Sequence, residues 1–394
     1  MKNFWQEFEK PIFGLSPMDG ITDCPFRLIT KKYGKADVVY TEFINVEALF
    51  YNSPRVIKQI IFVKEERPIV AQLYGQNPHF FYLATFLMLL LGFDAIDLNM
   101  GCPASKVVGN GSGAALIGNY VVVTEIVNQV KKAFFDWKNG EINNSLKDFL
   151  INFFYQNSFM MIYLSKDVIL SDCDQKPSEG VLKSEIILTK IKKKMANILN
   201  KKNDLLFDFP LSFKTRIGFD KILTNEWIKF LLQFQPQVIA VHGRTAKQGY
   251  VGEVNWEEIG CASQLAKKTS TKILGNGDLN SRVESLTKIN NYQLDGVLIG
   301  RKALGNPFIF DDKKMDNLSY FLLAYEHACL FEQIFGRLNT FSFLPMRKYL
   351  AAYVKNFPQA KKIRSQLVLT NDSKEIKNIF IFYLTLLRIK SASI

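Results

Sequence analysis

Eight short apolar or β-branched runs, each closed by glycine or a polar residue, constrain this chain more than any other feature. They are Phe13–Ser16, Asp37–Thr41, Ile69–Leu73, Ala95–Asn99, Ser212–Arg216, Val238–His242, Lys272–Gly275 and Gly296–Ile299. Segments of helical spacing lie between most of them, among them Pro25–Tyr33, Phe80–Leu91, Tyr120–Phe135 and Asn225–Phe234. Strand and helix in strict alternation predict a parallel sheet, either closed into a (β/α)8 TIM barrel or left open and doubly wound. The polar residues choose between the two. They follow every run: Pro17-Met18-Asp19, Glu42, Gln72, Asn99 and Cys102, Lys214 and Arg216, His242 and Arg244, Asn276-Gly277-Asp278, Gly300-Arg301. An open sheet gathers such groups at one switch point, whereas a barrel draws them from all eight βα loops. The expectation is a closed barrel.

The fourth and fifth runs are more than 110 residues apart, which places an insertion at about 137–208. Its charges nearly cancel. Ile187, Ile191, Met195 and Ile198 share one helical face, so part of it is expected to be an amphipathic helix. After Phe310 the pattern becomes wholly helical, through "YFLLAYEHACLFEQIF", "LPMRKYLAAYV" and "IKNIFIFYLTLLRIK". This predicts a barrel domain over 1–310 and a helical domain over 311–394.

The formal net charge of +13 favours an anionic partner. The helical region is disproportionately basic, with 13 Lys and Arg against 7 Asp and Glu. Five scattered cysteines without a C-x-x-C pair argue against a metal ribbon, an iron–sulfur site or a disulfide framework, so no metal is expected. Single thiols and a polar N-terminus without an apolar leader segment suit the cytoplasm. The longest apolar stretch, residues 80–93, is too short to span a bilayer. A monomer is expected.

"ILGNGDL" and "LIGRKALGNP" follow the seventh and eighth runs, where barrels recurrently bind phosphate. Glycine lets backbone N–H groups approach the oxygens, and an arginine adds a forked donor. Gln72, Lys214 and His242 arrive from the third, fifth and sixth runs. A lysine at a near-buried strand end needs an electron-rich partner, either a ligand or a barrel carboxylate such as Glu42. His242, in "VHGRT", sits at a strand tip, where ligand contact is favoured over a core role. A flat ligand with a phosphate tail, such as flavin mononucleotide (FMN), suits this set.

"LSPMDGITDCPFR", "AQLYG", "IDLNMGCPASKVVGNGSGAAL", "KTRIG", "VHGRT", "NGD" and "IGR" occur in that order. Together they resemble the tRNA-dihydrouridine synthases over about residues 11–310 apart from the insertion. "MRKYLAAYVKNFPQAKKIRSQL" resembles that family's C-terminal RNA-binding helices, with Tyr349 where a histidine is often found. The resemblance implies an oxidoreductase that uses FMN, with NADPH or NADH as reductant, to reduce uridines in tRNA. It implies that Ser16, Pro17 and Met18 line the flavin ring and that Gln72, Lys214 and His242 bond its polar edge. Asn276, Gly277, Asp278, Gly300 and Arg301 would surround its phosphate. Asn99 would hold the target base. Lys106, Arg216 and Arg244 would contact tRNA, as would Arg347, Lys348 and Arg364 on the helical domain. Reduction of the uracil C5–C6 bond needs a hydride at C6 and a proton at C5. The resemblance makes Cys102, on a mobile loop, the proton donor, and an unactivated thiol is protonated at neutral pH. A flavin barrel acting on a free pyrimidine is the competing enzyme reading, but it has no use for a basic helical domain. A non-catalytic RNA-binding protein is the other, and it has no use for Cys102 and Lys214.

Overall fold

The structure is a computed structural model, and it describes residues 4–9, 11–161, 184–201, 210–311, 316–336, 338, 340–355 and 359–391. Eight parallel strands close into a barrel: β1 (Ile12–Leu15), β2 (Val38–Tyr40), β3 (Ile69–Tyr74), β4 (Ala95–Met100), β5 (Leu211–Arg216), β6 (Val238–His242), β7 (Lys272–Asn276) and β8 (Gly296–Ile299). Closure runs through Leu15 against Ile299 and Val39 against Ile69, which excludes the open-sheet alternative. A two-residue strand, Ile44–Asn45, extends β3 beside Leu73 and Tyr74; it is too short to leave a periodic signal.

Strand pleating assigns every residue to a side. Ile12, Val38, Val70, Ala95, Val238, Ala240, Leu274 and Leu298 form the apolar interior, with Tyr40 and with Trp5 from the short helix Phe4–Glu7. The alternate residues, among them Phe13, Leu15, Ile96, Leu98, Phe213 and Ile239, pack outward in the larger core shared with the helices. Continuing the inward parity toward the strand ends leads from Val70 to Gln72, from Ala95 to Asp97 and Asn99, from Ala240 to His242 and from Leu274 to Asn276. One periodicity therefore fills the lower barrel with hydrocarbon and its upper end with polar groups.

Helix α1 (Cys24–Ile29) is capped by Asp23, which accepts from the Phe26 N–H at 3.1 Å. Beneath it lies a fully buried ion pair between Arg27 and Glu66, and Arg27 also donates to the carbonyls of Thr22 and Ile61. α2 (Pro78–Leu91) and α3 (Tyr120–Asn139) pack together on the barrel exterior.

The insertion contributes α4 (Asn144–Gln156) and α5 (Ser184–Lys201). Ile187, Ile191 and Met195 are buried on one face of α5, as their spacing predicts. The side chain of Ile198 and the turn "SDCDQKPSEG" lie outside what the structure describes. α4 packs on α2 and α5, and Phe149 stacks on Phe50. α6 (Thr224–Leu232), α7 (Trp256–Ala266) and α8 (Arg282–Tyr292) complete the outer ring. From Asp316 the described residues form helices only: α9 (Asn317–Phe335), α10 (Met346–Tyr353), α11 (Ala360–Leu367) and α12 (Ser373–Ser391). α9 lies against α1, and Lys32 forms an ion pair with Glu326 at 2.7 Å. Among the described residues no helix is long and apolar enough to cross a membrane.

Candidate active site

A cavity of about 370 Å³ opens at the C-terminal end of the barrel strands. Ser16, Pro17, Met18, Gln72, Asn99, Cys102, Lys214, His242, Asn276, Gly277, Asp278, Gly300 and Arg301 all line it. Thirteen residues expected from the sequence to act at the catalytic centre thus meet in one space. They do so because each follows an inward-facing strand position.

The floor is a connected set of hydrogen bonds. Gln72 donates Nε2–H to Asp97 at 2.7 Å and accepts from Asn99 Nδ2 at 2.9 Å. Asn99 Oδ1 in turn accepts from the backbone N–H groups of Gly101 (3.1 Å) and Cys102 (3.0 Å). Lys214 Nζ donates to Asn276 Oδ1 at 3.1 Å, while Asn276 Nδ2 donates to the Leu298 carbonyl. The alternative ion pair of Lys214 with Glu42 is not formed; Glu42 instead accepts from the Gly20 N–H at 2.6 Å. Removal from water, then the nearby Arg216, lowers the Lys214 ammonium to about 8. His242 is neutral: burial, then four surrounding cations led by Arg216, drives it to about 2. Its Nε2 is buried without a hydrogen-bond partner. An orphaned ring nitrogen beside the cavity is a position a ligand polar group would satisfy.

At the opposite wall, Gly277 has φ +142°, where a Cβ would also meet Val254 at 2.7 Å. Only glycine suits this corner. Asp278 holds both neighbouring arginines, through Arg244 Nη2 and Arg301 Nη2. The hydrogen bond from Arg244 is the main reason its carboxyl is held below the ordinary range. Asp278 is therefore an anchor for guanidinium groups, and an anion would meet the arginines and glycine N–H groups beside it.

Cys102 is half-buried, and burial raises its thiol above the ordinary value of 9.0. Its backbone is hydrogen-bonded on both sides. Arg216 Nε donates to the Gly101 carbonyl at 2.7 Å, and the Ala114 N–H donates to the Cys102 carbonyl at 3.0 Å. Gly113 permits that approach: it has φ +61°, and a Cβ there would stand 2.8 Å from the Cys102 oxygen.

Comparison with known proteins adds the family. The dihydrouridine synthase (Dus) family profile matches residues 14–136 and 187–385. The chain belongs to the dihydrouridine synthase family. It is an oxidoreductase of that family. A probable tRNA-dihydrouridine synthase 2 of Bacillus subtilis (strain 168) is 26% identical over 385 residues, covering 95% of each chain. A probable tRNA-dihydrouridine synthase of Staphylococcus epidermidis (strain RP62A) is 27% identical over 387 residues, covering 96% of this chain and 95% of its own. The stretch between the two matched parts, 137–186, falls in the insertion.

In this dihydrouridine synthase the arginines expected at RNA have other occupations. Arg216 lines the cavity, but its Nη1 donates to the carbonyls of Thr245 and Gly249, both at 2.9 Å. Arg244 is 2% exposed and bonded to Gly252 and Asp278. Arg347 donates to the carbonyls of Thr370 and Leu369 and to Asn371, and Arg364 donates to the Val354 carbonyl. These four act first as internal ties, since a forked donor on a long stem readily collects backbone carbonyls. Lys106, on the short helix Ser105–Gly109, and Lys348 remain exposed.

Three residues of the site escaped the sequence reading. Tyr250 lines the cavity under two guanidinium groups, Arg301 at 4.7 Å and Arg216 at 5.7 Å from its ring centre. Phe43 lines it beside Tyr74, and Asp97 lies beneath the floor. Tyr250 and Phe43 sit in loops without periodicity. Asp97, by contrast, has the same strand parity as Asn99, a signal that could have found it.

Proposed function

We propose that this protein is an FMN-dependent tRNA-dihydrouridine synthase, which reduces the C5–C6 bond of uridines in tRNA with electrons from NADPH or NADH. The names carried by its relatives support tRNA as substrate. The residues fit a flavin: an orphaned His242 Nε2, a lysine hydrogen-bonded to a neutral amide, and a glycine–arginine corner share one cavity. Gln72, Lys214 and His242 would hold the polar edge of the ring, Ser16, Pro17 and Met18 its face, and Asn276, Gly277, Gly300 and Arg301 the phosphate. When bound, reduced flavin supplies the hydride for uracil C6.

The observation that carries the reading is the thiol. Cys102 opens on the same cavity as this donor set and is protonated at neutral pH. It is the general acid for C5, and its backbone ties keep the sulfur beside the base. Asn99 holds the base from the floor. Residues 1–310 form the catalytic part and 311–394 the RNA-binding part. There Lys348, Lys355, Lys361 and Lys362 offer exposed charge to phosphate. A monomer in the cytoplasm completes the proposal.

The test is reconstitution of the purified protein with NADPH or NADH and unmodified tRNA, with dihydrouridine mapped position by position. A yellow protein whose Cys102→Ala variant keeps its flavin and loses dihydrouridine formation is the expected result. Normal turnover by Cys102→Ala, or turnover of free uridine as fast as tRNA, overturns it. Binding that does not weaken with salt would remove the electrostatic grip on RNA.

A further inference from the structure

We propose that Asp97 is a positioning residue for Cys102, acting through Gln72 and Asn99. Asp97 is fully buried and does not line the cavity, so it touches neither ligand nor substrate. Its carboxylate accepts from Ser212 Oγ at 2.6 Å and from Gln72 Nε2 at 2.7 Å.

Polarity makes the link from Asp97 to Cys102. Side-chain amides can be turned end for end, so their orientation has to be set by their neighbours. Here both ends of the chain are chemically unambiguous. An ionised carboxylate only accepts, and the backbone N–H groups of Gly101 and Cys102 only donate. Between these ends just one arrangement makes every bond: Gln72 turns Nε2 to Asp97 and Oε1 to Asn99, and Asn99 turns Nδ2 to Gln72 and Oδ1 to the Cys102 backbone. The Gln72 backbone N–H is separately fixed by Thr41 Oγ1 at 3.0 Å. Each amide then keeps one further N–H, so what the floor can still donate is set two residues below it.

Asn at position 97 can present either end, which removes the polarity at the bottom of the chain. Only the two backbone N–H groups then hold Gln72 and Asn99 in the arrangement that an ionised Asp97 enforces from below, so a turned pair becomes accessible. A turned Asn99 sets its NH2 against the two N–H groups it should receive, and the backbone beside the thiol loses its anchor. The reversed chain is also satisfiable. With Asn at 97 and Asp at 99, the carboxylate accepts from the Gly101 and Cys102 N–H groups, and the links of Gln72 to positions 97 and 99 can each be made in the opposite sense.

The inference about turnover rests on the proposed function; the inference about the chain does not. The first measurement is the thermal midpoint of the full-length flavoprotein carrying Asp97→Asn, Asn99→Asp, or both. Each single variant is expected to melt lower and the double variant to recover most of the loss. A double variant as unstable as the two losses added together overturns the polarity argument. The second is the alkylation rate of Cys102 by iodoacetamide in Asp97→Asn, together with kcat and KM for tRNA. The expected result is an altered alkylation rate, kcat per bound flavin lower on the order of 10- to 100-fold and KM within about twofold. Unchanged alkylation and kcat would overturn the positioning role. If the wild-type protein makes no dihydrouridine, the functional reading fails, while the midpoints and alkylation still decide the relay.

Discussion

The Tyr349 hydroxyl lies 2.6 Å from the Ile21 carbonyl and 3.0 Å from the Asp23 carboxylate, so a side chain of the helical region holds the loop that carries Ser16–Met18 into the cavity. Its ring also stacks on Phe26. Tyr349→Phe keeps the ring and removes the hydroxyl. The expected loss is about 1–2 kcal/mol, because a buried carbonyl and a capping carboxylate lose a donor together. A calorimetric midpoint equal to that of the wild type would show that the hydroxyl contributes nothing to joining the two parts.

Arg216→Lys tests the staple across the cavity. The guanidinium ties Gly101, next to Cys102, to Thr245 and Gly249 on the loop that carries Tyr250. One ammonium cannot make the forked set. Hydrogen bonds from a charged donor contribute about 1.5–3 kcal/mol each when intact. Turnover is expected to fall at least about tenfold with flavin retained. Equal kcat in the two proteins would remove Arg216 from the positioning of Cys102.

Asp278→Ala tests the guanidinium anchor. It leaves Arg244, 2% exposed, without its counter-charge. Removing a partner from a buried pair costs about 3–5 kcal/mol; the 42% exposure of the Asp278 side chain lowers this to about 1–3 kcal/mol. Inorganic phosphate is expected to stabilise Asp278→Ala more than the wild type, since it can take the vacated place between Arg244 and Arg301. Thermal midpoints with and without phosphate check this, and equal shifts would count against an anion site at this corner.

The barrel and the cavity were legible in the sequence for one physical reason. A strand's period of two turns residue order into an inside and an outside, so Gln72, Asn99, Lys214, His242 and Asn276 could be placed at one mouth from spacing alone. Strand limits agree to within about a residue: Phe13–Ser16 was expected and Ile12–Leu15 forms. The roles of the arginines were not legible. The resemblance marks Arg216, Arg244, Arg347 and Arg364 as RNA contacts, and the backbone carbonyls that they also bond come from segments with no periodicity. Tyr250 escaped for the same reason. The pinning of Cys102 depends on Asn99 reaching back to its own loop, which composition does not encode.

The pH profile ties the floor together. Burial raises Asp97 from 3.8 to about 6, with Ser212, Gln72 and Lys214 opposing it, and Tyr40 is the other titratable group that faces it. Lys214 is lowered from 10.5 to about 8. Above about 6 the carboxylate is ionised and the amide chain has one polarity. Below about 8 Lys214 is charged, and Cys102, raised above 9.0, is still protonated. Turnover is therefore expected to rise through pH 6, level off and fall through pH 8, with His242 neutral throughout. Stability moves with the opposite sign on the acid side. Between 3.8 and about 6 the folded state holds the Asp97 proton more tightly than the unfolded chain, so this group's contribution is present below 3.8 and is lost as pH rises through 6. Between about 8 and 10.5 the unfolded chain holds the Lys214 proton more tightly, so stability gains with pH there. Single-turnover rates across pH 5–9 check the catalytic limbs, and Asp97→Asn should remove the inflection near 6 while leaving the one near 8. An acid limb that survives in that variant would belong to another group and would separate Asp97 from the chemistry at Cys102.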